Sequence, residues 1–87
     1  MARFIVTHRV TAVTQDELFP RAKQIAASPV GGAKWLNSWW VAEEEKLLCE
    51  WEAPDAESVR ASLEPGQDLF PIVTISEVEW IDPQWYK

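Results

Sequence analysis

Six tryptophans occur in a chain of only 87 residues, and this number limits how such a chain can fold. Each tryptophan brings a large apolar area and an N–H group that needs a hydrogen-bond partner when it is buried. A chain this short forms one domain, here residues 1–87, and removes only about 60% of its unfolded surface from water. We therefore expect the tryptophans to lie in a thin core, at a pocket or in an interface between chains.

Charge and cysteine content exclude several kinds of partner. The net charge is −6 and no cluster of lysine and arginine occurs, which argues against nucleic acid as a partner. Cys49 is the only cysteine, so no internal disulfide can form, and this favours a reducing compartment. No stretch approaches the roughly 20 apolar residues that span a bilayer, and the N-terminal residues lack the pattern of a signal peptide. We expect a cytoplasmic protein with no membrane partner.

Hydrophobic periodicity and turn residues predict six elements in the order βαββαβ. The first helix begins at the capping box Thr14-Gln15-Asp16-Glu17, has Pro20 near its start and ends at residues 28–32. The second helix begins after Asp55 and stops at Pro65-Gly66. The predicted strands span residues 3–10, 33–41, 46–53 and 71–81.

This order of elements is that of a ferredoxin-like α+β domain, a four-stranded antiparallel sheet with two helices on one face. The opposite face of the sheet is then left open. If Val41 lies opposite Lys46 across the acidic connector 42–45, Leu36 lies opposite Trp51 and both point to the helices. The open face would carry Trp35, Asn37, Trp39, Leu48, Glu50 and Glu52.

An open face that carries tryptophans favours a face-to-face homodimer, because indole rings are costly to leave in water. Two sheets that face each other would enclose a cavity lined by aromatic and polar groups, which is the usual composition of a small-ligand site. The ligand we expect is a small apolar or aromatic molecule. The candidate ligand-binding residues are Arg9, Trp35, Asn37, Trp39, Glu50 and Glu52.

Three runs of sequence resemble a family of small bacterial domains of unknown function that includes a nickel-binding protein: residues 34–40 (KWLNSWW), 48–60 (LCEWEAPDAESVR) and 76–83 (SEVEWIDP). The resemblance implies ferredoxin-like chains that pair as dimeric α/β barrels, and it raises the possibility of a divalent metal such as nickel. The sequence departs from the family pattern at Thr7-His8-Arg9, where relatives carry a Glu-Arg pair, and near Ser62, where a helical histidine is replaced. Leu69-Phe70-Pro71 is similar to the corresponding segment of muconolactone isomerases.

His8 and Cys49 are candidate ligands of a soft metal, since they would point to one face from neighbouring strands. Two ligands do not complete the coordination shell of a metal, however, and a lone buried cysteine ordinarily packs as a small hydrophobic residue. Glu50 and Glu52, held between aromatic side chains, could act as the acid or base in a proton transfer. Alternatively, they rim a dimer interface and pair with Arg9 or Lys34.

Three functions remain open. The first is a dimeric domain that binds a small ligand or a metal. The second is a cofactor-free isomerase or monooxygenase that acts on an aromatic or lactone substrate. The third is a structural oligomerisation module. The sequence assigns no cofactor and contains no Ser-His-Asp set, phosphate loop or Cys-x-x-Cys motif, so whether the protein is an enzyme stays undecided.

Overall fold

The structure is a computed structural model that describes residues 1–10 and 15–87. Its strands lie in one antiparallel sheet with the order β2-β3-β1-β4, and the predicted βαββαβ arrangement is confirmed. None of the helices described is long and apolar enough to cross a membrane. The main elements are β1 (Ala2–Arg9), α1 (Gln15–Ala27), β2 (Lys34–Val41), β3 (Lys46–Ala53), α2 (Ala56–Leu63) and β4 (Ile72–Val78).

Local sequence signals explain most of the element ends. Asp55 caps α2, because its Oδ1 accepts hydrogen bonds from the backbone N–H and the hydroxyl of Ser58, each at 2.8 Å. The connector between β2 and β3 is one short 3₁₀ turn, closed by Glu45 in the left-handed region with φ of 49°. The predicted capping box of α1 begins at Thr14, which lies outside the described residues. Pro20 lies inside α1, as predicted.

Both helices pack on one face of the sheet. Ile25 of α1 and the α2 residues Val59 and Leu63 are buried against alternate residues of the two central strands. The core formed in this way consists of Phe4, Val6, Val10, Ile25, Ala33, Cys49, Trp51, Ala53, Val59, Leu63 and Phe70. The Cα extents are 44 × 32 × 19 Å, and the shortest extent fits two layers, one of helices and one of strands.

A β-bulge in β2 overturns part of the predicted register. Val41 lies opposite Lys46 and Ser38 lies opposite Cys49, as predicted. The expected pairing of Leu36 with Trp51 is wrong, because the register shifts between Trp35 and Asn37 and Leu36 becomes the extra residue. Trp35 itself lies opposite Trp51.

Trp35 therefore points to the helices and not to the open face. Its ring stacks on the buried ring of Trp51, with centroids 6.3 Å apart and an interplanar angle of 10°. It packs against the core as a half-buried residue. Of the two tryptophans predicted for the open face, Trp35 is thus part of the packing between the sheet and the helices.

This register predicts different stability costs for two tryptophans of β2. Trp35→Ala removes a stacked, half-buried ring and should lower the free energy of unfolding by about 2 kcal/mol or more. Trp40→Ala removes a ring that is 54% exposed and should cost no more than about 1 kcal/mol. Urea denaturation at matched protein concentration measures both. Equal losses would contradict the bulged register.

Candidate functional site

The open face of the sheet carries a polar cluster that the pairing of β1 with β3 brings together. Ile5 lies opposite Glu50 and Arg3 lies opposite Glu52. Arg3 Nη1 is 3.4 Å from Glu50 Oε2, and Arg3 Nη2 is 3.7 Å from Glu52 Oε2. Asn37 Nδ2 donates a hydrogen bond of 3.0 Å to Glu50 Oε1. One arginine thus pairs with two carboxylates and offsets one of their two negative charges, and both oxygens of Glu50 have a partner.

Apolar side chains surround this cluster. Leu48 lies opposite Thr7 on one side and opposite Trp39 on the other. Ile5, Thr7 and Leu48 are half-buried, whereas the Trp39 side chain is 49% exposed. The open face is therefore an amphipathic surface with one large indole accessible to a partner or ligand.

The sequence predicted ion pairs of Glu50 and Glu52 with Arg9 or Lys34, and this prediction is wrong. Among the described residues, both glutamates pair with Arg3. Arg9 lies opposite Lys46 at the far end of β1. It is four residues from Ile5, which is about 13 Å at the rise of a strand. Arg9 shares the open face but is not part of the cluster.

Trp35 belongs to a separate group on the helix side. Its Nε1 donates a hydrogen bond of 2.7 Å to Ser38 Oγ, and that hydroxyl donates to Cys49 Sγ at 3.0 Å. Burial raises the pKa of the Cys49 thiol to about 11, while the hydrogen bond from Ser38 acts in the opposite direction. The thiol is therefore protonated at neutral pH. The predicted grouping of Trp35 with Asn37 and Trp39 is wrong, since the sheet separates them.

His8 is fully buried on the same side as Cys49, as predicted, and its ring meets Phe70 edge to face at 5.5 Å. Burial lowers the pKa of His8 below its ordinary value of 6.5, and the hydrogen bond to the Phe70 carbonyl acts in the opposite direction. The neutral ring fits this environment, with Nδ1 donating to the Phe70 carbonyl oxygen at 2.8 Å. Within the described part of the chain, His8 Nε2 has no hydrogen-bond partner.

The C-terminal segment after β4 forms a second exposed apolar surface. Trp80 and Trp85 meet edge to face at 5.3 Å, yet they are 58% and 60% exposed. Ile81 and Tyr86 are also exposed. These side chains are thus available to a second chain.

The order of strands, the two helices on one face and the amphipathic opposite face define a ferredoxin-like α+β domain. The sequence model of the nickel responsive protein SCO4226-like family matches residues 4–78, and the chain belongs to this family. A similar solved structure is the crystal structure of SCO4226 from Streptomyces coelicolor A3(2), with a TM-score of 0.74. It is 24% identical and the match covers 93% of this chain and 100% of that chain. No curated protein sequence matches.

These comparisons confirm the family resemblance that the sequence predicted, and they confirm the fold. The similarity of Leu69-Phe70-Pro71 to muconolactone isomerases stays a prediction. A sequence identity of 24% shows a shared fold and no more. The chemistry of this chain therefore has to be judged from its own residues.

The described side chains of a single chain do not form a site that fits nickel, the metal in the name of the family. Within residues 1–10 and 15–87, no group of three or more histidine, cysteine, aspartate or glutamate side chains could hold a metal ion. His8 uses one ring nitrogen for Phe70 and is sealed in the core, and Cys49 carries a protonated thiol. Nickel needs deprotonated thiolates or accessible imidazoles.

The buried thiol predicts an alkaline loss of stability. Cys49 has a folded pKa of about 11 against 9.0 for an unperturbed thiol, so the unfolded chain loses the proton first. The contribution of the neutral thiol is complete below pH 9 and is lost as the pH rises to about 11, up to about 2 to 3 kcal/mol. Urea denaturation of the wild type and Cys49→Ala at about pH 8 and about pH 10 measures the difference. Parallel pH profiles of the two proteins would contradict the assignment.

Proposed function

We propose that this protein acts as a homodimer that encloses a small-ligand chamber between the open faces of two sheets, as in a dimeric α/β barrel. The observation that carries the proposal is the half-exposed Trp39 beside a cluster of internally paired charges on the open face. The residues proposed to face the chamber are Arg9, Asn37, Trp39, Glu50 and Glu52.

The charges of the open face allow two copies to approach each other. The whole chain carries a net charge of −6, which would oppose self-association. On the open face, however, the register places four cations, Arg3, Arg9, Lys34 and Lys46, beside the two carboxylates of Glu50 and Glu52. Two such faces can meet without an excess of negative charge between them, and paired carboxylates cost less to bury than free ones.

The apolar part of the face supplies a driving force. Burying the exposed half of Trp39 removes about 100 Å² from water, which is worth about 2 to 3 kcal/mol for each copy before entropy losses. The chamber would have indole walls and an amide and carboxylates at its centre. This composition suits a small aromatic or apolar ligand that carries one polar group. The pairing of both Glu50 oxygens favours an organising role for this carboxylate over proton transfer.

Two neighbouring tryptophans provide a matched test of the dimer. Trp39→Ser should raise the dimer dissociation constant by about 100-fold or more, because each copy loses the large exposed indole of its open face. Trp40→Ser alters a ring of similar exposure on the other side of β2 and should leave the constant nearly unchanged. Analytical ultracentrifugation across a concentration series measures both. A monomeric wild type, or equal effects of the two variants, would contradict the proposal.

The only reason to consider nickel for this chain is the description of its family. From the donor groups of the described residues we expect that tag-free protein does not retain one nickel ion per chain. Equilibrium dialysis against nickel followed by elemental analysis measures this, and His8→Gln serves as a comparison because it removes the one histidine. Stoichiometric nickel in the wild type that is absent from the variant would show that His8 is a ligand after all.

A further inference from the structure

A cavity lies on the helix side of the sheet, opposite the proposed dimer chamber. Its volume is about 210 Å³. Leu18, Ala22 and Ile25 of α1 form one wall, and Trp35, Leu47 and Cys49 of the sheet form the other. Leu63 and Phe70 are also part of the lining. The cavity is partly open to solvent, because Ser38 of its lining is exposed and Leu18, Ala22, Trp35 and Leu47 are half-buried.

The position of α1 explains the gap. The backbone of α1 has its main contacts with the turn Glu64–Gly66 rather than with a strand of the sheet. Ala22 faces the sheet from the middle of the helix with only a methyl group. A larger side chain at this position would fill the space. The cavity therefore has two causes, the distance between α1 and the sheet and the small side chain of Ala22.

The polar atoms at the wall satisfy each other. The Trp35 N–H donates to the Ser38 hydroxyl, which in turn donates to the Cys49 sulfur. Trp35 is also fixed by stacking on Trp51. This chain of hydrogen bonds leaves the lining without a free strong donor or a charged group, and burial keeps the thiol protonated. A charged ligand would lose its bonds to water and find no ion pair in return, and a neutral polar ligand could regain at most one bond, to the second lone pair of Ser38 Oγ.

We propose that this cavity is a binding site for a small, uncharged apolar molecule of one or two rings. An apolar cavity of about 150 Å³ stays dry and is large enough for benzene, so the larger cavity here suits a substituted or fused ring. The rigid indole of Trp35 offers a flat surface for it. The site does not require the dimer, since it lies on the opposite face of the sheet.

Three probes with one ring define the chemistry of the site. Toluene should bind saturably and raise the melting temperature of the wild type. Phenol should bind about tenfold more weakly, because its hydroxyl gives up its bonds to water for at most one bond to Ser38, and benzoate should not bind. Toluene should also slow the alkylation of Cys49 by N-ethylmaleimide, since it would cover the thiol. Equal binding of toluene and benzoate, or no effect of toluene up to its solubility, would overturn the proposal.

A substitution on α1 locates the binding. Ala22→Leu should fill the cavity and weaken toluene binding by about tenfold or more. Ala27→Leu makes the same change at an exposed residue at the end of α1 and should leave binding unchanged. Unaltered binding to Ala22→Leu, or binding that is lost in Trp39→Ser instead, would place toluene elsewhere and overturn the proposal. If Ala22→Leu does not fold, NMR shifts that toluene causes in the wild type decide the question: they should be confined to lining residues such as Ile25, Trp35 and Leu63, and shifts centred on Trp39 instead would overturn the proposal.

Discussion

The extra residue in β2 is the constraint on which both surfaces of the sheet depend. In a regular strand, residues three positions apart point to opposite faces. The bulge at Leu36 places Trp35 and Ser38 on the same face, and only this allows the indole N–H to reach the Ser38 hydroxyl. Without the bulge Trp35 would lie opposite Glu52 on the open face, whereas Asn37 lies opposite Glu50 in either case. One inserted residue thus moves an indole from the proposed interface to the wall of the cavity.

The sequence predicted the elements and most of the register, and the failures have physical causes. Pairing counted from Val41 and Lys46 is correct as far as Asn37 and Glu50. It fails at Leu36 because Trp35 and Leu36 are both apolar, so alternation cannot tell which of them faces the core. The last strand was predicted to continue to residue 81. It ends at Val78, which lies opposite Arg3, so that only Met1 and Ala2 precede the last paired residue of β1.

The candidate site was predictable in part. Asn37, Trp39, Glu50 and Glu52 lie on the open face as the alternation predicts, but the arginine that joins the two glutamates is Arg3. Arg3 and Arg9 have the same parity in β1, so the face alone cannot distinguish them. The choice depends on the β1–β3 register, which long-range packing sets. The cavity beside α1 had no signal in the sequence, since it arises from a gap between elements and not from a pattern of residues.

The thin core gives the two proposals a common physical basis. A domain of 87 residues has one helix layer on one sheet, and its total stability is of the order of 5 to 15 kcal/mol. A fully enclosed empty cavity of about 210 Å³ would cost up to about 5 kcal/mol, and the partly open cavity here costs less. Selection for stability alone would favour a residue larger than Ala22, which would fill this space. A ligand in the cavity and a second copy on the open face each bind only the folded chain, so each raises its stability by mass action.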